Sequence, residues 1–150
     1  MTHQAVARDL LAIFCGVQGL ATAFVDLNWN HARNSAWTGH ARFHVVWQTT
    51  AFVALAFFEI ALVIVAGPFA KERFYVAAGL AGIPMLGFFV AFFGRPLYGG
   101  MLADANGLPP IAIRLLGAEC LIEINLAAEI AGMLALIAIV LLFRQPRALF

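Results

Sequence analysis

A chain of 150 residues that is 63% hydrophobic and only 11% charged lacks the polar side chains a soluble domain needs for its coat, since about half apolar and a quarter charged is usual. Lipid is therefore the solvent that the composition implies. A formal charge of +1 from singly scattered basic residues leaves no electrostatic footprint for nucleic acid, and Cys15 and Cys120 have neither metal-ligand nor redox spacing, so they read as packing residues.

The first predicted span covers residues 6–27, around the uncharged run from Leu10 to Val25. The amino end before it has no compact basic region and no small-residue cleavage pattern, which predicts an uncleaved membrane helix and no signal peptide. The second span, 42–66, is interrupted by His44, Gln48, Thr49, Thr50 and Glu59 and stopped by Gly67-Pro68. A basic turn, Lys71-Glu72-Arg73, leads into the third span, 74–94, which Arg95-Pro96 ends because proline disfavours a helical residue before it. A loop rich in Gly and Pro then precedes a long fourth helix over 111–143. The fold class predicted is all-α, a single integral membrane antiparallel four-helix bundle over 1–150.

Four crossings put both termini on one face, with Arg8, Lys71, Arg73, Arg144 and Arg147 against Arg33, Arg42, Arg95 and Arg114 on the other. The positive-inside rule then points to cytoplasmic termini. Connectivity also gathers Asp26, Asn28, His31, His40, His44, Arg95, Tyr98, Arg114, Glu119 and Glu123 at one face, a polar mouth. Helical spacing sharpens this. Gln18, Thr22 and Asp26 form one stripe, His40, His44 and Gln48 a second, and Glu119 with Glu123 a third, beside Asn125 and Glu129. Polar groups in a bilayer must meet each other or water, so the stripes are expected to converge inside the bundle. Gly79, Gly82, Pro84 and Gly87 of the third span suit a close-packed wall.

Depth separates two groups of polar residues. At ~1.5 Å per residue, His44, Gln48, Glu119 and Glu123 lie within about 15 Å of the mouth, whereas Arg8, Glu59 and Glu129 lie roughly 20–28 Å away and are expected to form a structural ion network. At the mouth, His40 and His44 stand one turn apart, a spacing that lets two imidazoles reach one metal or one ring system, with His31 a further ligand candidate or a partner of backbone and headgroups. The chain has no HExxH, no ExxH and no multi-histidine box, so a di-iron oxygenase lacks its ligands. Glu119 and Glu123, one turn apart in a membrane, are expected to share acid/base work with Asp26. Asn28, Trp47, Gln48 and Tyr98 are the substrate-binding candidates. The tryptophans also fit an interface belt.

The Ile13-Phe14-Cys15 stretch, the segment from Trp37 to His40 and His44, the basic turn before a Gly-rich third span and the Gly/Pro/Asn-rich loop before the fourth together resemble the styrene oxide isomerases. Those are four-span bacterial membrane enzymes of similar length that isomerise an epoxide to an aldehyde and bind haem b through a histidine near the start of their second span. The resemblance implies haem ligation at His40 or His44 and a bacterial inner membrane; the family's catalytic residues do not carry over. The segment DLNWNHARNSAWTGHARFH also looks like that of small uncharacterised four-span families, which implies no activity. The function expected is a membrane-integral enzyme that isomerises, cyclises or hydrates a hydrophobic small molecule entering from membrane lipid, by acid/base chemistry or with haem b or a divalent metal as Lewis acid. The alternative is a non-enzymatic homo-oligomeric subunit that holds a cofactor or forms a lipid or proton pathway.

Overall fold

Thr2 and Thr38 open the first two helices. Each sits in extended backbone while its hydroxyl accepts the amide of the residue three positions on, Ala5 and Ala41, at 3.2 Å, satisfying one of the donors that every helix start leaves free. A computed structural model describes residues 2–103, 109–115 and 117–145; residues 104–108 of the loop and Arg147 lie outside the described residues. The elements are α1 (His3–Asp26), α2 (Gly39–Ile64), α3 (Ala70–Tyr98), a hairpin of β1 (Ile111–Leu115) and β2 (Ala118–Ile122), and α4 (Ile124–Arg144). All four helices are long and apolar enough to cross a membrane, and only 17–22% of each span is buried inside the protein. Their remaining apolar surface, Leu20, Phe24, Phe93 and Leu97 included, needs lipid around it. The chain is thus a multi-pass membrane protein and an all-α four-helix bundle.

Consecutive helices are neighbours and α4 closes back on α1, leaving α1 and α3 barely touching across a diagonal, the arrangement that short antiparallel connections give. With no hydrophobic drive between helices in lipid, close approach must come from small side chains. Ala7, Gly19, Ala56, Ala77, Ala78 and Ala81 are all buried. The expected glycine wall is therefore an alanine wall: Gly79 and Gly87 face open space, and of the three glycines only Gly82 approaches a neighbour, Leu136 at 3.7 Å. At the end remote from the mouth, Phe74 stacks on Phe143 with centroids 3.7 Å apart and planes 8° from parallel, joining the start of α3 to the end of α4.

Two helix boundaries depart from the expectation. The third helix runs through Pro96 to Tyr98 and stops at Gly99, whose φ of 70° supplies the left-handed cap. Proline did not end it because the carbonyl that Pro96 cannot bond, that of Phe92, receives the Arg95 guanidinium at 3.0 Å instead. The fourth helix begins at Ile124 and not at 111. Residues 111–122 pair antiparallel, Ile111 opposite Ile122 and Arg114 opposite Glu119, across a two-residue connection that ends in Gly117 at φ 86°. Twenty-one residues of α4 already cross a bilayer, so the surplus had no need to be helical.

Among the glycines that face another helix the tightest is Gly19, where an added Cβ would stand 2.7 Å from the Cβ of Ala56. Gly19→Ala is expected to destabilise the protein by about 1–3 kcal/mol through overpacking, read as a lowered thermal midpoint in detergent, and Gly19→Ala with Ala56→Gly to recover most of it. A lone Gly19→Ala that melts like the parent protein contradicts this contact.

Candidate functional site

Asp26 ends α1, and the chain turns over it. The loop from Leu27 to Thr38 is held by its own asparagines: Asn28 Oδ1 accepts the Asn30 amide at 2.8 Å and Asn34 Oδ1 the Ala36 amide at 2.9 Å, the side-chain turns that asparagine favours. Asn28 Nδ2 donates to the Phe24 carbonyl at 3.3 Å. Its amide is thus committed to the loop, which leaves little of the expected substrate contact. On the carboxylate of Asp26 converge the Thr49 hydroxyl of α2, donating at 3.3 Å, and His31, within electrostatic reach. Thr49 is completely buried. His31 is half-buried, its ring centroid 5.3 Å from that of Trp37 and the two planes nearly perpendicular, and its Nδ1 is enclosed without a hydrogen-bond partner among the described residues.

The α1 stripe does face inward. Gln18 Nε2 donates to the Ala81 carbonyl of α3 at 3.1 Å, one residue on from the Leu80 carbonyl that Pro84 leaves without its donor. Thr22 bonds the Gln18 carbonyl within its own helix.

The α2 stripe does not face inward. The buried face of that helix is Thr49, Ala56, Glu59 and Val63, fixed in rotation by the contact between Ala56 and Gly19, and His44 lies roughly 140° around from Thr49 on an ideal helix. His40, His44, Trp47 and Gln48 are consequently exposed. His40 and His44 nevertheless meet: their Nε2 atoms are 3.1 Å apart, one imidazole donating to the other, with ring centroids at 4.5 Å. Phe43 and Trp47 flank the pair, the Trp47 ring 5.7 Å from that of His44.

On the opposite side of the mouth, α3, the following loop and α4 enclose a cavity of about 170 Å³, with Phe88 and Phe92 at its apolar side and Arg95, Tyr98 and Asn125 at its polar side. Arg95 lies flat over the Phe92 ring at 4.1 Å, Tyr98 donates to the Ala91 carbonyl at 2.7 Å, and Asn125 donates to the Leu102 carbonyl at 3.3 Å. A Cβ added at Gly100 would run into the Tyr98 ring, which would have to move. Tyr98 lines this cavity, whereas the two glutamates separate. Glu119 is exposed in β2 opposite Arg114, and Glu123 is the half-buried residue between β2 and α4. The hairpin removes the helical turn that would have stacked one above the other.

The deep charges also part company. Arg8 donates from Nε at 3.2 Å, and from Nη2, to the Val63 carbonyl in the last turn of α2. Glu59 is buried with its carboxyl on the Cys15 thiol, and Glu129 is half-buried on α4. Helix ends leave carbonyls without donors, and that demand captures Arg8 before a carboxylate can. Among the described residues no group of three or more His, Cys, Asp and Glu gathers as for a metal ion.

Thr49 and Arg95 stood out in the sequence only as polar residues of span two and of the mouth, without a role of their own. Thr49 was legible in its spacing of seven, ten and fourteen residues from Ala56, Glu59 and Val63, a repeat that marks one helix face. Arg95 was legible in its place before a proline that frees a carbonyl four residues back. No protein-family model, curated protein or solved structure matches the chain.

Because Thr49 is the buried donor to Asp26, Thr49→Val keeps the shape and removes the bond. The expected loss is about 1–3 kcal/mol in detergent unfolding, with Thr49→Ser recovering most of it. Equal midpoints for the valine and serine variants contradict the bond.

Proposed function

We propose that the chain is a membrane-integral enzyme that isomerises, cyclises or hydrates a hydrophobic small molecule by acid/base chemistry at the mouth. The observation that carries this reading is the Asp26 carboxylate at the end of α1, held by the buried Thr49 hydroxyl, with His31 of the following loop within electrostatic range. A carboxyl and an imidazole within reach of each other can give a proton to one substrate atom and take one from its neighbour, which is the whole requirement of an isomerisation. The amphipathic cavity at the same end, apolar at Phe88 and Phe92 and polar at Arg95, Tyr98 and Asn125, suits a molecule that arrives from lipid with one polar group. Glu123 is half-buried where β2 meets α4 and Glu119 is exposed on the hairpin; neither lines that cavity.

The two Nε2 atoms of His40 and His44 face one another, whereas a haem-ligating histidine presents one unencumbered nitrogen. A small cation fits the pair better than haem does.

General acid/base catalysis contributes about 10²–10⁴-fold, so Asp26→Asn and His31→Ala should each lower turnover by that order. The purified protein in lipid nanodiscs, given a panel of apolar epoxides, alkenes and ketones in heavy water, should incorporate solvent deuterium into at least one product, and Asp26→Asn should lose the label. Label incorporation equal in the parent and Asp26→Asn overturns the assignment of Asp26. A panel without any turnover favours the non-enzymatic oligomeric subunit. We further propose cytoplasmic termini, from the five basic residues on that face against four; reporters fused to the termini should read cytoplasmic and one inserted after Met101 should read the opposite side.

A further inference from the structure

The exposed face of α2 carries half of a metal site. His40 and His44 Nε2 are 3.1 Å apart. Two metal–nitrogen bonds of about 2.05 Å that span this separation enclose roughly 100°, between the octahedral and tetrahedral values, so one divalent transition ion can take the place of the shared proton without moving either ring far. Two ligands do not complete a zinc-type site, which wants four in its closed form, and no third His, Cys, Asp or Glu joins them among the described residues.

What can complete the site follows from where the pair sits. His40 and His44 are exposed on the outer face of a membrane helix, and Gln48, one turn deeper on the same face, is exposed too. The imidazoles lie at the membrane surface, but the deeper Gln48 amide turned toward lipid is costly, and the usual remedy is a polar partner on another helix. Two copies in one membrane share orientation, so their symmetry axis runs along the membrane normal and residues of equal depth meet across it. Around such an axis beside α2, four imidazoles come together at one level. Gln48, which both donates and accepts, meets its own copy one turn below.

The geometry points to a divalent transition-metal site shared by two copies of this chain, His40 and His44 of each supplying the four nitrogens and Gln48 pairing beneath them. It is independent of the Asp26 reading, since its test needs no turnover. Metal binding requires neutral imidazoles, so the ion should leave on acidification.

Protein made without a polyhistidine tag is titrated with Zn²⁺ or Co²⁺ alone in nanodiscs large enough for two copies, and in detergent, and followed by calorimetry, cobalt absorption and native mass spectrometry. The expected result is about one ion for every two chains, an intense tetrahedral cobalt spectrum, and a dimer that chelator disperses. His40→Ala and His44→Ala should each abolish the spectrum and the metal-driven dimer, and His31→Ala should leave both intact. Gln48→Leu should keep the coordination and weaken the dimer. One ion per chain on a monomer overturns the shared site. A spectrum that survives both His40→Ala and His44→Ala, or no binding by the parent protein, overturns the site altogether.

Discussion

A backbone carbonyl released at a helix end or by a proline must find another donor where the bilayer holds back water, and three arginines of this protein are placed by that constraint. Arg8 serves the carbonyl of Val63 and Arg73 that of Val65, where α2 runs out. Arg95 serves Phe92, whose partner is missing because residue 96 is proline, while Gln18 crosses from α1 to the Ala81 carbonyl, one residue after the one that Pro84 frees. A hydrogen bond from a charged donor contributes about 1.5–3 kcal/mol, enough to decide where an arginine goes when no carboxylate is nearer. Rotation of α1 and the unbroken length of α3 both depend on these bonds.

Their consequence for the site is a sorting of the polar residues. Groups that looked available, Arg8, Gln18 and Asn28, are held by backbone. Asp26, His31, His40 and His44 are not, and these divide into Asp26 with His31 at the end of α1 and in the loop after it, and an outer pair on the surface of α2. Asp26 is held by Thr49, and the outer pair owes its exposure to the rotation that puts Thr49 inside.

Much of the bundle was legible in the sequence because a span is a property of composition: four long apolar runs, two of them wholly without charge, read as four helices in lipid. The inward stripe of α1 was legible for the same reason, since Gln18, Thr22 and Asp26 have nothing but apolar neighbours to hide from. What was not legible was rotation. His40 and His44 are as regular a stripe as Thr49 and Glu59, and only the contact of Gly19 with Ala56, made between two helices, decides which one goes in. The hairpin escaped because its residues are as apolar as a span; its signals were an apolar run of 33 residues where about 20 suffice, β-branched Ile111 and Ile113, and Gly117 in the middle. The haem expected from the family resemblance drew on His40 or His44 alone, whereas it is their mutual contact that governs what the pair can bind.

The stacked rings of Phe74 and Phe143 have a mechanical consequence. They lie at the end of the bundle remote from Asp26, packed with the buried residues of the other helices. The start of α3 and the end of α4 are pinned to each other there, so a force that draws either helix out of the membrane has to part the two rings first.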